Sequence, residues 1–470
     1  MIVHKFGGTS LGNAQRFECV AKILEHANQG KVLPVDNIAV VSAMSGVTNE
    51  LISGALAAAQ QNDLSYRQIK AGLLERHLEV LSALIENKQE RLQVGGFIED
   101  NLHELGLLYR SIALLGELTA RGRDRVTSFG EILSAKILAA LLRQGGVRSQ
   151  AVSATELIVT DKNFGAARPL MDLTRERAKA RLEPLLLSGV LPIVTGYIAA
   201  SEGGMPTTLG RGGSDYSAAI LGACLAVDEV WIWSDVDGIL TADPNLVPDA
   251  RTLEELTYQE AAELAFYGAD VLHPKTIRPL VEEGIPLRLL NSFNPDHPGT
   301  RIISQPSNRR ELLPAIISTT GLTAISISKN GNGGDWSLAR TSTVLDSLSQ
   351  AGIEVPMLSQ SFSEQSLNLI LRQQDQAHCL SALNNGLGDR HNIQVKERVS
   401  TVSVVGAPNW NGKGILSHTF SALGKLGVRV ISIAQAASEH SVSICIPEND
   451  TAEVVRFLHH EMGLDTQFPH

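Results

Sequence analysis

Ile2-Val3-His4-Lys5-Phe6-Gly7-Gly8-Thr9-Ser10 opens the chain, and its reading decides the fold. Ile2 to Phe6 is a short apolar strand, Gly7 to Ser10 a turn, and Ala14 to His26 has helical spacing. Backbone N–H groups at such a turn converge over the helix N-terminus and favour an anion. The glycines allow close approach, and Lys5 adds a point charge suited to a phosphoryl group. The pattern GxxxxGK[ST] is absent, so this is no Walker A loop. On spacing alone, an ordinary strand–helix turn and an anion site stand as equal readings.

A second unit of the same kind follows. Asn37 to Val41 is a buried strand, Ser42 to Thr48 a turn rich in hydroxyls, and a helix runs towards Ala59. Residues 66 to 145 are almost all helix-patterned. Strands return at Gln150–Val152, Leu191–Thr195 and Glu229–Trp233, with helices between them. Strands alternating with helices predict a mostly parallel sheet covered on both faces. Composition shifts at Phe293-Asn294-Pro295-Asp296-His297-Pro298-Gly299, which reads as a domain boundary.

Beyond that boundary lies an internal repeat. Ser363-Glu364-Gln365-Ser366 recurs as Ser438-Glu439-His440-Ser441, Gln360 as Gln435, Gly352 as Gly427 and Leu348 as Leu423. All share one offset, which predicts two small α+β modules.

Length and composition set the outer limits. The chain has 470 residues, 43% hydrophobic and 19% charged, which suits about three globular domains and excludes a disordered chain. Its formal charge of −10 argues against broad nucleic-acid binding, which rests on neutralising phosphates. Cys19, Cys224, Cys379 and Cys445 are scattered without a CxxC pair, so reduced thiols are expected rather than disulfides or a zinc module. No apolar run reaches the roughly 18 residues of a membrane helix, and the N-terminus lacks a signal-peptide layout. A soluble, cytoplasmic protein is the expectation.

Thr207-Thr208-Leu209-Gly210-Arg211-Gly212-Gly213-Ser214-Asp215-Tyr216-Ser217 is a second glycine-rich turn leading into a helix. Arg211 suits a carboxylate, and Asp215 suits either a helix cap or a catalytic role. Two anion-ready turns can hold two anionic groups for in-line transfer. Trp233-Ser234-Asp235-Val236-Asp237-Gly238 ends a strand where ligands sit in open α/β sheets. Asp235 and Asp237 read as a metal pair or, preferably for Asp237, as turn formers. Ser128-Phe129-Gly130-Glu131 opens a helix, with Glu131 a partner for an ammonium or a solvated carboxylate. His459-His460-Glu461 reads as a helix surface rather than a metal site, because helical ligand spacing is i, i+4. His273-Pro274 reads as a helix boundary. Asn411-Gly412-Lys413-Gly414 is only half a phosphate loop.

Together KFGGTS (5–10), VSAMSGVT (41–48), SFGE (128–131), TLGRGGSDYS (208–217), Trp233–Gly238 and Val271–Pro274 resemble the aspartate kinases of the amino-acid-kinase superfamily, over essentially the whole chain. The C-terminal repeat resembles their tandem ACT modules. The resemblance implies a three-layer α/β kinase fold over residues 1–300, then ferredoxin-like α+β ACT domains over 312–395 and 396–467. It implies ATP-dependent phosphorylation of the β-carboxylate of L-aspartate to 4-phospho-L-aspartate, the step that opens lysine, threonine and methionine biosynthesis. The expected cofactors are ATP and Mg²⁺, with no metal ligand among the side chains.

By the same resemblance, Lys5 and Asp215 are catalytic. Thr48, Glu131, Arg211, Gly212, Gly213 and Ser214 bind aspartate, Glu131 taking its ammonium and Arg211 a carboxylate. Lys5, Phe6, Gly7, Gly8, Thr9, Ser234, Asp235, Leu240, Asn245 and Asp270 contact the nucleotide. Gln360, Ser363, Gln435 and Ser438 bind the effector, expected to be lysine, threonine or both. A homodimer or homotetramer through the ACT modules is implied. The chain's length implies a monofunctional kinase without a fused homoserine dehydrogenase.

Three positions depart from the family pattern: Leu240 for Tyr, Asn245 for Arg and Asp270 for Lys. The usual Gly-Met pair of the ACT loops is replaced in Gly333-Gly334-Asp335-Trp336 and Ala407-Pro408-Asn409-Trp410. These departures motivate one competing reading, a catalytically weak amino-acid sensor. Another is a related kinase acting on glutamate or a nucleotide, against which Arg211 and Glu131 together point to an amino acid.

Overall fold

The computed structural model of the chain describes residues 1–28, 35–266, 272, 274–304, 313–329, 338–361, 363, 365–387, 391–407 and 410–465. It divides into two compact units, Met1–Gly238 with Val271–Gln305, and Ile239–Asp270 with Pro306–His470. Asp270, Val271, His273, Gly333–Trp336, Glu364, Pro408 and Asn409 lie outside the described residues.

The first unit opens with β1 (Ile2–Phe6), α1 (Ala14–Asn28), β2 (Asn37–Val41) and α2 (Val47–Ala59). A run of helices follows: α3 (Asp63–Leu84), α4 (Lys88–Leu115), α5 (Ala120–Thr127) and α6 (Phe129–Gln144). Polar caps set their starts. Asn62 accepts from the Ser65 amide, Asn87 from those of Gln89 and Glu90, and Thr119 from that of Gly122, each pairing an otherwise orphaned donor. Next come β3 (Ser149–Val152), β4 (Val159–Thr160), α7 (Met171–Leu187), β5 (Leu191–Thr195), β6 (Ile198–Ser201), β7 (Pro206–Thr208), α8 (Gly213–Leu225) and β8 (Glu229–Ser234). The second unit takes β9 (Glu255–Thr257) and α9 (Tyr258–Phe266). The chain then returns to the first with α10 (Pro274–Glu283), β10 (Leu287–Asn291) and β11 (Thr300–Ile303).

Within the first unit the strands lie in the order β3-β5-β2-β1-β8-β10-β11. All neighbours are parallel except β10 and β11. The all-buried strands β2 and β5 have helices on both faces, as a parallel sheet requires. Register pairs Phe6 with both Val41 and Trp233. The turns after β1, β2 and β8 therefore open at one end of the sheet, the end where ligands gather in such folds. A small sheet, β4-β6-β7, stands apart.

The second unit continues with β12 (Ala315–Lys329), α11 (Leu338–Gln350), β13 (Met357–Ser361), β14 (Ser366–Arg372), α12 (Gln376–Leu387), β15 (His391–Val405), α13 (Gly414–Leu426), β16 (Ser432–Gln435), β17 (Ser441–Pro447) and α14 (Thr451–Glu461). The sequence repeat is now visible as structure. β14 and β17 start at Ser366 and Ser441, and α12 and α14 at Gln376 and Thr451. Gly352 and Gly427 both take positive φ, 66° and 70°. The strands form one antiparallel sheet, β13-β14-β12-β15-β17-β16. β12 and β15 run through both halves. Leu322–Ser328 pairs with β14, whereas Ala315–Thr319 faces Val405–Thr401 at the β17 side, with register shifts between.

An apolar core packs in each half. One joins Ile325, Val344, Leu367, Leu369 and Leu383. The other joins Val402, Trp410, Ile415, Val442 and Val454 with Ala242 and Val247. His459 corrects an expectation here. It is buried against Thr241, whose hydroxyl lies 2.9 Å from Nε2, rather than on a helix surface, because Thr241, Ala242 and Val247 pack in this unit and cover that face of α14. Among the described residues no helix is long and apolar enough to cross a membrane, and the four cysteines are free thiols.

Candidate active site

The turns at the open end of the parallel sheet enclose a cavity of about 970 Å³. Lys5 projects from the end of β1. Its Nζ lies 2.5 Å from Asp215 Oδ1, in the first turn of α8, and both side chains are largely buried. Asp215 sits where the α8 dipole favours a carboxylate, but it faces the Lys5 ammonium. Gly8, Thr9, Thr48, Glu131, Arg211, Gly212, Gly213 and Ser214 line the same cavity. Phe6 does not: its ring is in the core, 5.8 Å from that of Trp233. Gly7 is not on the wall either; its amide donates to the Trp233 carbonyl at 3.3 Å.

Glu131 is the most unusual charge in the cavity. It is 3% exposed, and burial pushes its carboxyl up to about 8 against a pull downward from the Ala43 amide. Its Oε2 is buried without a hydrogen-bond partner among the described residues, an expensive state for a polar atom. Gly130 makes this approach possible. A Cβ there would lie 2.6 Å from that of Ala43, so only glycine lets α6 start against the Ser42–Thr48 turn. An acceptor that is buried, unpaired and in a ligand-sized cavity is matched to an incoming donor.

Residues 1–291 match the amino acid kinase family, and residues 402–462 match the ACT domain. Aspartokinase 2, chloroplastic, of Arabidopsis thaliana is 32% identical over 97% of this chain and 83% of its own length. The chain belongs to the aspartokinase branch of the amino acid kinase family. A bifunctional aspartokinase/homoserine dehydrogenase of Zea mays is 31% identical over 97% of the chain. The chain spans about half the length of that relative and of the other bifunctional relatives it matches first. E. coli aspartokinase III, solved with lysine and aspartate, superposes with a TM-score of 0.82 at 28% identity, covering 98% of this chain and 99% of that one. The same protein with aspartate and ADP gives a TM-score of 0.75 at 29% identity, with the same coverage.

In this aspartokinase-family chain the remaining expected residues are dispersed. Ser234 ends β8 beside the Gly7 turn, and Asp235 follows it, exposed. Asp237 is a turn residue, its Oδ1 accepting from Asn291 and Asn294 at 2.9 and 3.1 Å. Leu240 and Asn245 fall in the second unit, and the Asn245 side chain is held by Asp243 at 3.0 Å. Gln360 lies in β13, one residue before its end, and donates to Thr341 Oγ1 at 3.2 Å. Gln435 ends β16 with its side chain exposed, and Ser363 and Ser438 lie in the equivalent turns. Among the described residues no group of three or more His, Cys, Asp or Glu side chains is placed to hold a metal.

Three residues that the sequence did not single out also shape the aspartokinase cavity. Tyr197 lines it with a left-handed backbone, φ 65°. That strain is held by Ser217 Oγ, which accepts from the Tyr197 amide at 3.0 Å. Arg76, from α3, donates to the Gly12 and Ser45 carbonyls at 3.2 and 2.8 Å and so joins the first two turns from behind. Asp124, from α5, is 1% exposed yet lines the cavity. The signals for Arg76 and Asp124 were charges inside helical patterns, where a solvated face is the ordinary reading.

Proposed function

We propose that the chain is an ATP-dependent aspartate kinase, transferring the γ-phosphoryl group to the β-carboxylate of L-aspartate to give 4-phospho-L-aspartate and ADP. The observation that carries this reading is the buried Lys5–Asp215 pair in one cavity with the unpartnered Glu131 oxygen. The first suits a transferring phosphoryl group and the second an amino-acid ammonium. Family membership and the aspartate and ADP named for E. coli aspartokinase III support it.

The chemistry follows from charge. A carboxylate is ionised at neutral pH and needs no general base. One β-carboxylate oxygen forms the new P–O bond as the bond to the ADP oxygen breaks. Catalysis is then alignment and neutralisation. Lys5 faces the phosphoryl oxygens, and Asp215 fixes the ammonium in place. Gly8 and Thr9 offer backbone and hydroxyl donors to the phosphates, Gly7 lets the turn approach closely, and Ser234 and Asp235 are on the nucleotide side. Arg211 takes a carboxylate of aspartate, Glu131 its ammonium, and Thr48 and Ser214 flank it. Mg²⁺ bound with the nucleotide would add neutralisation of the phosphate charge beside Lys5.

The kinase domain is taken as residues 1–300, with ACT domains at 312–395 and 396–467. The repeat turns carrying Gln360, Ser363, Gln435 and Ser438 are the proposed effector sites, in a cytoplasmic homodimer or homotetramer. The lysine named in the E. coli aspartokinase III complex supports lysine as an effector. The test is MgATP-dependent acyl phosphate from L-aspartate, trapped with hydroxylamine, with and without lysine and threonine. Hydroxamate suppressed by lysine or threonine is expected. No turnover beside saturable binding of those amino acids would leave a sensor instead.

A further inference from the structure

The carboxylate of Asp124 is buried at the wall of the cavity, yet no step of the proposed chemistry uses it. Its Oδ2 accepts from the Gly165 amide at 2.9 Å and from the Thr208 amide at 3.0 Å. Its Oδ1 accepts from Thr208 Oγ1 at 2.7 Å. Burying a carboxylate is costly, and burial raises its pKa while these donors and the Arg123 charge lower it. Three donors on one carboxylate make a strong, geometrically defined joint.

What the joint connects gives it meaning. Asp124 lies on α5, and the same run of chain continues through Ser128 into α6 and Glu131. Gly165 belongs to the loop between β4 and α7. Thr208 ends β7 and leads through Gly210 to Arg211 and Asp215. The loop and the glycine turn also meet directly. The Ala167 amide donates to the Thr208 carbonyl at 2.9 Å, and a Cβ on Gly210 would lie 3.2 Å from the Gly165 carbonyl oxygen. Phe164, Gly165, Gly210 and Arg211 all line the cavity. Asp124 is thus a fixed link between the wall that carries Glu131 and the wall that carries Arg211.

We infer that Asp124 is a positioning residue that sets the span between Glu131 and Arg211, and so selects the length of the amino-dicarboxylate that fits. This inference rests on the proposed aspartate-kinase reading. One methylene separates L-aspartate from L-glutamate, and a pocket discriminates such a difference only while its walls are held.

The test compares wild type with Asp124→Ala, Asp124→Asn and Thr208→Val. In Asp124→Ala the KM for aspartate rises ~10- to 100-fold, as expected for a lost alignment. The KM for ATP stays within about twofold, and the ratio of kcat/KM for aspartate over glutamate narrows. Asp124→Asn restores most of the aspartate KM, because one amide oxygen can take both backbone N–H groups while its NH₂ donates to the Thr208 hydroxyl. Thr208→Val, which keeps the fold and the backbone amides but loses one bond, gives an intermediate rise. Hydrogen exchange provides a readout independent of activity: peptides covering 161–168 and 205–213 exchange faster in Asp124→Ala than in wild type. An unchanged aspartate KM, equal rises for aspartate and ATP, or unchanged exchange would overturn the inference. If wild type itself makes no acyl phosphate, the kinase reading fails, and exchange alone decides whether Asp124 joins the two walls.

Discussion

Lys5 at the end of the first strand and Asp215 in the first turn of α8 form an ion pair at 2.5 Å, with both side chains largely out of solvent. Neither charge is affordable there alone, because a buried ion stripped of its partner costs about 3–5 kcal/mol. In the proposed reaction the pair has a second purpose: Asp215 holds the ammonium where negative charge accumulates.

Lys5→Ala and Asp215→Asn should therefore both lower kcat, by ~10²–10³ for loss of a transition-state donor. Lys5→Ala should act on kcat more than on the KM for aspartate. Steady-state kinetics with either substrate varied checks this. A Lys5→Ala enzyme with unchanged kcat would remove Lys5 from the chemistry.

Glu131 gives a proton signature. Its carboxyl is raised from 4.5 to about 8 by burial, so at pH 7 it is mostly protonated in the ligand-free chain. An ammonium stabilises the ionised form, so aspartate binding at pH 7 releases about one proton, and affinity rises with pH until about 8. Calorimetry in two buffers of different ionisation enthalpy measures the release, and Glu131→Gln abolishes it. The same shift means that the ligand-free fold loses stability as pH rises from 4.5 towards 8, since the folded chain keeps a proton that the unfolded chain gives up. Binding without proton release would assign the ammonium elsewhere.

Much of this site was legible in the sequence, because each part is a local pattern: a strand ending in Lys5 and two glycines, a helix opening at Glu131, a glycine turn ending in Asp215. Strand–helix alternation likewise fixes a parallel sheet, and the fixed-offset repeat fixes two similar halves. What escaped is set by partners distant in sequence. Asp124 acquires its role from Gly165 and Thr208, Arg76 from Gly12 and Ser45, and His459 its burial from Thr241. A charge inside a helical pattern reads as solvated until the covering segment is known. Phe6 is a simpler case. Strand alternation turns its ring into the core while Lys5 faces the cavity, so a motif read as one block divides between two faces.

Gly130 should tolerate nothing larger. Gly130→Ala puts a methyl 2.6 Å from that of Ala43, an overpacking that costs about 1–3 kcal/mol. It also displaces Glu131, so the KM for aspartate rises along with a lower thermal midpoint. A neutral effect on both would mean that α6 has room that the close approach denies.

His77 predicts acid sensitivity. It is fully buried on α3, its Nδ1 is 2.6 Å from the Leu73 carbonyl, and its Nε2 has no partner among the described residues. Burial lowers its pKa from 6.5 to about 4. Below 6.5 the unfolded chain takes up a proton that the folded chain refuses, so stability falls as pH drops from 6.5 towards 4, by about 1.4 kcal/mol per pH unit at most. Denaturant midpoints at pH 7 and pH 5 for wild type and His77→Leu test it. The variant should lose less stability between the two, and parallel losses would show that other groups dominate.

The most direct measurement of the central claim is the rate of hydroxylamine-trapped acyl phosphate from L-aspartate and MgATP, in wild type, Lys5→Ala and Glu131→Gln side by side. The account predicts turnover in wild type, loss of kcat in Lys5→Ala, and a raised aspartate KM with ATP little affected in Glu131→Gln. Wild type inactive with aspartate, or both variants as active as wild type, would contradict it.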